Sequence, residues 1–243
     1  MSTSLPGISL GFVLALAVLL GGWLGDRWAR SAERLQGWLP YSAGLLLGLG
    51  FLHLIPEAVA AARGWAGVAL LLGFGLQLLL DQMTGGLEHA HPYGSLSPLE
   101  GMGVLVGVCL HSFIEAWPLA LAAAYPQTIG LLFLAILAHK TPMGLMLVHL
   151  LRSANWASRR IWTAISLLAS MPLLGIAAAT LVVQELPPAA LGVLLGVSAG
   201  IFLYLAVFLL MENLVRGHRL IRTRFMVFLA GIGTAAVTAL LTH

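Results

Sequence analysis

Long apolar runs separated by short polar loops make up most of the chain. A membrane-spanning helix needs about 20 apolar residues, and cuts at charged residues, prolines and glycine-rich breaks separate runs of about that length. The eight predicted spans cover residues 7–25, 40–62, 66–83, 99–124, 127–151, 161–183, 188–212 and 223–242. Because the loops are too short to form a soluble domain, we expect a single all-α transmembrane domain over residues 1–243.

The composition agrees with a protein embedded in a lipid bilayer. Hydrophobic residues make up 60% of the chain, charged residues make up 9%, and the mean hydropathy is +0.98. Soluble domains carry about 25% charged residues. The net charge of +3 comes from a few loop residues, so it does not indicate binding to nucleic acid. The first run is interpreted as a retained span rather than a signal peptide, because Asp26 and Arg27 follow it and no basic residue precedes it.

Arginines predict the orientation of the spans. Ten arginines follow spans 1, 5 and 7, whereas the opposite side carries only Arg63. The positive-inside rule therefore places those loops in the cytoplasm and both termini outside, in a plasma or inner membrane. The loop over residues 84–98 then also lies in the cytoplasm. Its Glu88, His89 and His91 could receive an exiting ion or could simply be solvated polar residues.

Two short polar motifs lie inside predicted spans. In span 4, His111 and Glu115 are four residues apart and share one helix face, and in span 5 His139 and Met143 repeat that spacing. Histidine, carboxylate and thioether groups are metal ligands, and the hydroxyl of Ser112 could add an oxygen. A single buried histidine more often holds helices together through a hydrogen bond. Two such motifs on consecutive spans favour metal binding at membrane depth.

Three further ionisable residues lie at membrane depth. Lys140 needs an anion there, which Glu115 or Asp81 could supply, and its charge could take the place of a second metal ion. His53 and Glu57 in span 2 repeat the four-residue spacing. They predict either an outer access or relay site, or a helix end with solvated polar groups.

A short repeat relates span 2 to span 7. Ser42-Ala43-Gly44 precedes His53 by the same offset that separates Ser198-Ala199-Gly200 from Leu209. Spans 2 and 7 become equivalent if spans 1–3 and 6–8 form an inverted repeat around spans 4 and 5. Transporters commonly use this plan and bind their substrate at mid-membrane.

The segment Phe51–Ala58, the motif His111-Ser-x-x-Glu115 and the motif His139-Lys-x-Pro142 together resemble the Zrt/Irt-like (ZIP) metal-ion transporter family. This resemblance implies an eight-helix bundle, often a homodimer, that moves Zn²⁺ or a related divalent ion towards the cytosol by an elevator-like motion. The metal ion is then the substrate, no cofactor is expected, and the protein is not an enzyme.

The resemblance also assigns roles to individual residues. His111 and Glu115 match the family's span 4 ligands, and Ser112 stands at a position that is often Asn or Ser. Met143 stands where the family often has Glu, and Lys140 stands where binuclear members have a second-metal carboxylate. The departures from the binuclear pattern are at Lys140, Met143 and Leu209. The resemblance therefore implies at most one metal ion per site.

Two other functions remain open from the sequence. A membrane-embedded zinc hydrolase could bind zinc through His111, Glu115 and His139 and keep one position open for an activated water. A relative that has lost ligands could instead sense metal without transporting it. Flux of metal across a sealed vesicle distinguishes transport from both.

Overall fold

The computed structural model describes residues 5–27, 39–83, 97–122, 126–183, 186–215 and 221–242, and no strand occurs in these ranges. Helix α2 is continuous through a central π-helical turn, so it consists of Leu39–Leu49, Gly50–Leu54 and Ile55–Ala62. The other helices are α1 (Leu5–Arg27), α3 (Ala66–Met83), α4 (Pro98–Glu115), α5 (Pro126–Ser153), α6 (Ser158–Val183), α7 (Pro188–Val215) and α8 (Ile221–Thr242).

These helices have the length and surface of membrane spans. Seven stretches of the described residues are long and apolar enough to cross a bilayer, and one of them, Pro40–Gln82, contains both α2 and α3. Leucines on the outer surface, such as Leu71 and Leu181, are more than 70% exposed. Apolar side chains exposed on this scale require a lipid surrounding. The predicted all-helical, multi-pass membrane fold is therefore confirmed.

The helices pack into two groups. Helix α1 packs extensively against α5 and α6, and α4 packs against α6, so these helices form a 1-4-5-6 bundle. Helix α3 packs along α7, α2 packs along α8, and α2 also contacts α7, which makes a 2-3-7-8 bundle. The direct contacts between the bundles, α2 with α5 and α3 with α4, are much less extensive.

Glycines allow close approach within the 2-3-7-8 bundle. A Cβ atom at Gly73 of α3 would overlap the backbone carbonyl of Val197 on α7. A Cβ atom at Gly44 of α2 would overlap the backbone carbonyl of Phe228 on α8. Small residues at such contacts increase the dispersion attraction between membrane helices, where no hydrophobic effect drives association.

Local sequence sets both ends of α4, the helix that carries the first polar motif. Ser97 and Glu100 form a reciprocal capping box at its start, with Pro98 in the first turn. The helix ends at Glu115 and continues as a 3₁₀ segment, Trp117–Leu121. Pro118 lies in the first turn of that segment, where its missing amide breaks the α-helical hydrogen-bond pattern.

Proline also explains the π-helical turn in α2. Pro56 has no amide hydrogen to donate to the carbonyl of Leu52, so the regular α-helical ladder is interrupted immediately before it. The turn Gly50–Leu54 includes His53, and π-helical turns often occur at functional positions. The α2 helix then ends at Ala62, and the next residue, Arg63, has a φ of 51°, outside the helical range.

Candidate metal site

His111 and Glu115 lie one helical turn apart on α4, and each is 1% exposed. His111 Nε2 is 3.6 Å from Glu115 Oε2. His139 comes from α5, and its Nε2 lies 2.5 Å from Glu115 Oε1. One potential ligand atom from each of the three residues lies within 4.8 Å of the others. The structure therefore brings together three of the residues that the sequence predicts as metal ligands.

The facing atoms of this cluster lack the hydrogen bonds that buried polar groups normally make. Among the described residues, His111 Nε2, His139 Nε2 and Glu115 Oε1 have no hydrogen-bond partner. Within this set, His139 Nε2 and Glu115 Oε1 are in ion-pair contact at 2.5 Å. Two imidazole nitrogens and a carboxylate oxygen that face one another in this way form a donor set that suits Zn²⁺.

The other ring nitrogen of each histidine is held by an acceptor. His111 Nδ1 donates to Gln77 Oε1 at 3.1 Å, and His139 Nδ1 donates to the carbonyl of Ala135 at 3.1 Å. Because these oxygens can only accept, each Nδ1 is the donor, and Nε2 is the ring nitrogen left to bind a metal ion. Metal-binding histidines commonly have such a partner on the second nitrogen.

Lys140 forms an ion pair with Glu115. Its Nζ donates to Glu115 Oε2 at 2.5 Å and to Ser112 Oγ at 2.9 Å, and the lysine has no exposed surface. The sequence predicts either Glu115 or Asp81 as the partner of Lys140, and in the structure the partner is Glu115. Ser112 is also fully buried, but it contacts Lys140. Its hydroxyl therefore serves the ammonium group in this arrangement, and its role as a metal ligand stays a prediction.

Met143 lies one turn beyond His139 on α5. Its partly buried side chain packs against an apolar cluster inside the 1-4-5-6 bundle that includes Val104 and Leu147. The predicted ligation of metal by its sulfur remains a hypothesis.

The predicted outer residues His53 and Glu57 do not belong to the three-residue cluster. His53 is 5% exposed within the π-helical turn of α2, and Glu57 is partly buried one turn later. Within the part of the chain that the structure describes, the only group of three or more potential ligands is His111, Glu115 and His139. The access or relay role of His53 and Glu57 stays a prediction. The predicted cytoplasmic cluster of Glu88, His89 and His91 lies outside the described residues.

Sequence reasoning missed Gln77. Gln77 of α3 is 1% exposed and contacts His111. Asp81, near the end of α3, is 6% exposed and accepts a hydrogen bond from the Tyr204 hydroxyl at 2.6 Å, and its interfacial position stays a prediction. Both belong to one face of α3, four residues apart. Gln77 and Asp81 could have been recognised from the sequence, because they are two polar residues at helical spacing in the leucine-rich segment 76–81.

An apolar cavity of about 230 Å³ lies between α3, α4 and α7, close to the cluster. Its lining includes Leu76 and Ile114, the sequence neighbours of Gln77 and Glu115. Ser198 is its only lining residue with a hydroxyl, and that hydroxyl donates to the carbonyl of Leu194. The described lining of this cavity is therefore almost entirely apolar.

Comparison with known proteins finds similarity to zinc transporters. A family model described as "ZIP Zinc transporter" matches residues 88–239. Human "Zinc transporter ZIP2" is 30% identical over an alignment 273 positions long, which covers 82% of this chain and 87% of that protein. "Zinc transporter ZIP9-A" of Xenopus laevis is 30% identical over 185 residues, which cover 65% of this chain and 60% of that protein. The matched region includes the whole of α4 and α5.

Proposed function

The chain belongs to the ZIP zinc transporter family, and on this premise we propose that it carries a divalent metal ion, primarily Zn²⁺, across a membrane towards the cytoplasm. The observation that carries the proposal is the buried set of His111, Glu115 and His139 on adjacent helices. The names of the relatives support zinc as the transported ion. The ion is cargo in this proposal, so it passes through the site rather than remaining as a cofactor.

The charges around Glu115 suit a site that must release its ion. The carboxylate already forms an ion pair with Lys140, and both histidines offer neutral imidazole nitrogen as ligands. A divalent ion therefore meets two neutral ligands and a carboxylate that is partly compensated by an ammonium group. This arrangement gives weaker binding than a site with several free carboxylates, and it leaves no room for a second cation beside Lys140.

The two bundles support an elevator-like motion. All three candidate ligands belong to α4 and α5, so they move as one body with the 1-4-5-6 bundle. Close glycine contacts hold each bundle together, such as Gly73 with Val197 in one and Gly144 with Val18 in the other, so each bundle can move as a rigid body. Limited contact between the bundles lowers the cost of sliding one past the other.

The membrane topology in this proposal has eight spans. Gly196 of α7 lies beside Ala58 of α2 and also beside Ala69 of α3, which requires the chain to reverse between them. Arg63, with its positive φ, lies in the connection. We therefore count Pro40–Gln82 as two spans. With the arginine-rich loops in the cytoplasm of a plasma or inner membrane, both termini lie outside.

An inverted repeat fits the same contacts. If spans 1–3 correspond to spans 6–8, the α2–α8 contact becomes equivalent to the α7–α3 contact. Gly44 and Gly200 are the last residues of the two Ser-Ala-Gly sequences. Gly44 of α2 contacts the backbone of α8, and Gly200 of α7 contacts the backbone of α3. This agreement supports the repeat beyond the three matching residues.

One observation favours the competing function of a metal-sensing relative that does not transport. The Lys140 ammonium already occupies one oxygen of Glu115 and so competes with metal for the carboxylate. Sensing requires binding only, whereas transport requires net movement of the ion.

Uptake of Zn²⁺, Cd²⁺, Mn²⁺ and Fe²⁺ into sealed proteoliposomes tests the proposal. We expect zinc uptake by the wild type and none by empty vesicles. Binding of zinc by the purified protein without uptake would favour the metal-sensing relative instead. Release of a hydrolysis product would favour the membrane-embedded zinc hydrolase. His149→Ala is the matched control, since this histidine of α5 is partly buried but lies outside the cluster.

A further inference from the structure

Gln77 is a buried amide in an apolar helix, and its carbonyl oxygen binds a metal-ligand candidate. The side chain is 1% exposed, and the residues before and after it in α3 are leucines. Burial of an amide is costly unless it makes hydrogen bonds. The Oε1 atom lies 3.1 Å from His111 Nδ1 and accepts a hydrogen bond from this nitrogen.

This hydrogen bond connects the two bundles. Gln77 belongs to α3 of the 2-3-7-8 bundle, whereas His111 belongs to α4 of the 1-4-5-6 bundle. The equivalent bond of His139 is different, because its acceptor is Ala135, one turn earlier on the same helix. When the bundles slide past each other, His139 keeps its partner and His111 loses its own. A relative movement of a few ångströms is enough to break the bond.

We infer that Gln77 is a positioning residue that completes the metal site only while the bundles have the present arrangement. Its Oε1 fixes the Nδ1–H tautomer of His111 and makes Nε2 a better donor to metal. Loss of such a partner typically weakens metal binding by about 10- to 100-fold. Sliding of the bundle would therefore convert a tight site into a weaker one and promote release on the other side. This conformational part of the inference rests on the proposed transport function.

Metal affinity of the purified protein tests the positioning role without any transport. We expect Gln77→Leu to weaken Zn²⁺ binding about 10- to 100-fold, and Gln77→Glu, which keeps an acceptor oxygen, to recover most of the affinity. Gln82→Leu is the matched control, because Gln82 is exposed on the same helix. Unchanged zinc affinity in well-folded Gln77→Leu would overturn the inference.

A double-mutant comparison distinguishes positioning from a general structural effect. If Gln77 acts through His111, Gln77→Leu has no further effect on affinity in the His111→Ala background but keeps its full effect in the His139→Ala background. An equal loss in both backgrounds would contradict the inference. ¹⁵N spectra of the metal-free protein add an independent measurement. We expect one His111 tautomer in the wild type and a mixture in Gln77→Leu, and an unchanged tautomer would also contradict it.

The conformational part predicts an asymmetry between the two membrane faces. Zinc enters the site from one side of the membrane while Gln77 and His111 are hydrogen-bonded. Gln77→Leu should raise the apparent KM for zinc supplied from that side by about 10-fold or more, and should change the KM for zinc supplied from the other side by no more than about twofold. Right-side-out and inverted vesicles give the two values. Equal increases from both faces would overturn the conformational part. Failure of the wild type to transport at all would overturn the proposed function and leave the affinity and tautomer results to decide the positioning role.

Discussion

Lys140 Nζ lies 2.5 Å from Glu115 Oε2, and neither side chain is exposed. Both charges are therefore removed from solvent at the centre of the candidate metal site. A buried ion pair contributes little net stability, but removal of one partner leaves an uncompensated buried charge. The pair thus links the stability of the bundle to the binding site.

We predict that Lys140→Met destabilises the protein because it leaves the Glu115 carboxylate without its ammonium partner. The expected loss in the free energy of unfolding is about 3–5 kcal/mol. The double variant Lys140→Met/Glu115→Gln removes both charges and should recover most of this loss. Unfolding in detergent with a chelator present measures both variants. Equal stability of the double variant and Lys140→Met would contradict the electrostatic explanation.

The same ammonium group predicts a stoichiometry of one metal ion at the site. A fixed cation that hydrogen-bonds to Ser112 and Glu115 repels a second divalent ion from that position. Anomalous scattering from crystals grown with Zn²⁺ or Cd²⁺ should show one ion between His111, Glu115 and His139. Lys140→Asp should permit a second. Two adjacent ions in the wild-type site would refute the prediction.

We predict that His111→Ala and Glu115→Ala each abolish zinc uptake in proteoliposomes. Each substitution removes one of the three ligands that converge among the described residues. His149→Ala should retain uptake close to that of the wild type, and gel filtration should show that all variants remain folded. Uptake at the wild-type rate by either ligand variant would rule out the assigned site.

Glycine contacts predict a large difference between two neighbouring positions of α3. A Cβ atom at Gly73 would overlap the Val197 carbonyl, whereas a Cβ atom at Gly75 has no neighbour within 4 Å. Gly73→Ala should therefore destabilise the 2-3-7-8 bundle by about 1–3 kcal/mol. Gly75→Ala should be neutral or stabilising by up to about 1 kcal/mol, because alanine favours a helix. Thermal unfolding in one detergent compares them, and equal midpoints would contradict the packing.

The helices could be predicted from the sequence because the bilayer imposes their length and hydrophobicity. The predicted span 66–83 coincides with α3, and the predicted start at residue 99 is one residue from that of α4. His111 and Glu115 could be paired because residues four apart share a helix face.

Other features depend on packing between residues that are distant in the chain. The choice of Glu115 over Asp81 as the partner of Lys140 depends on how α4 meets α5. Gln77 and His111 are 34 residues apart and lie in different bundles, so no local spacing indicates their hydrogen bond. The π-helical turn around His53 follows from Pro56, but hydrophobic periodicity alone does not reveal it.

Met143 gives a prediction about metal selectivity. Replacement of an oxygen ligand by a thioether weakens the attraction for Mn²⁺ more than for Cd²⁺ or Zn²⁺. If the sulfur reaches the transported ion, Met143→Glu should shift relative uptake towards Mn²⁺. If Met143 only packs against the apolar cluster of the 1-4-5-6 bundle, the new carboxylate should mainly destabilise the protein.

Competition between Mn²⁺ and Cd²⁺ in proteoliposomes distinguishes these two roles of Met143. Met146→Glu is the matched control, since Met146 is a partly buried methionine on the same helix, outside the His139–Met143 motif. A selectivity shift in Met143→Glu but not in Met146→Glu would assign the sulfur to the ion path. An unchanged ratio in a well-folded Met143→Glu protein would leave Met143 with a packing role alone. The binding site would then consist of His111, Glu115 and His139, with water completing the coordination of the ion.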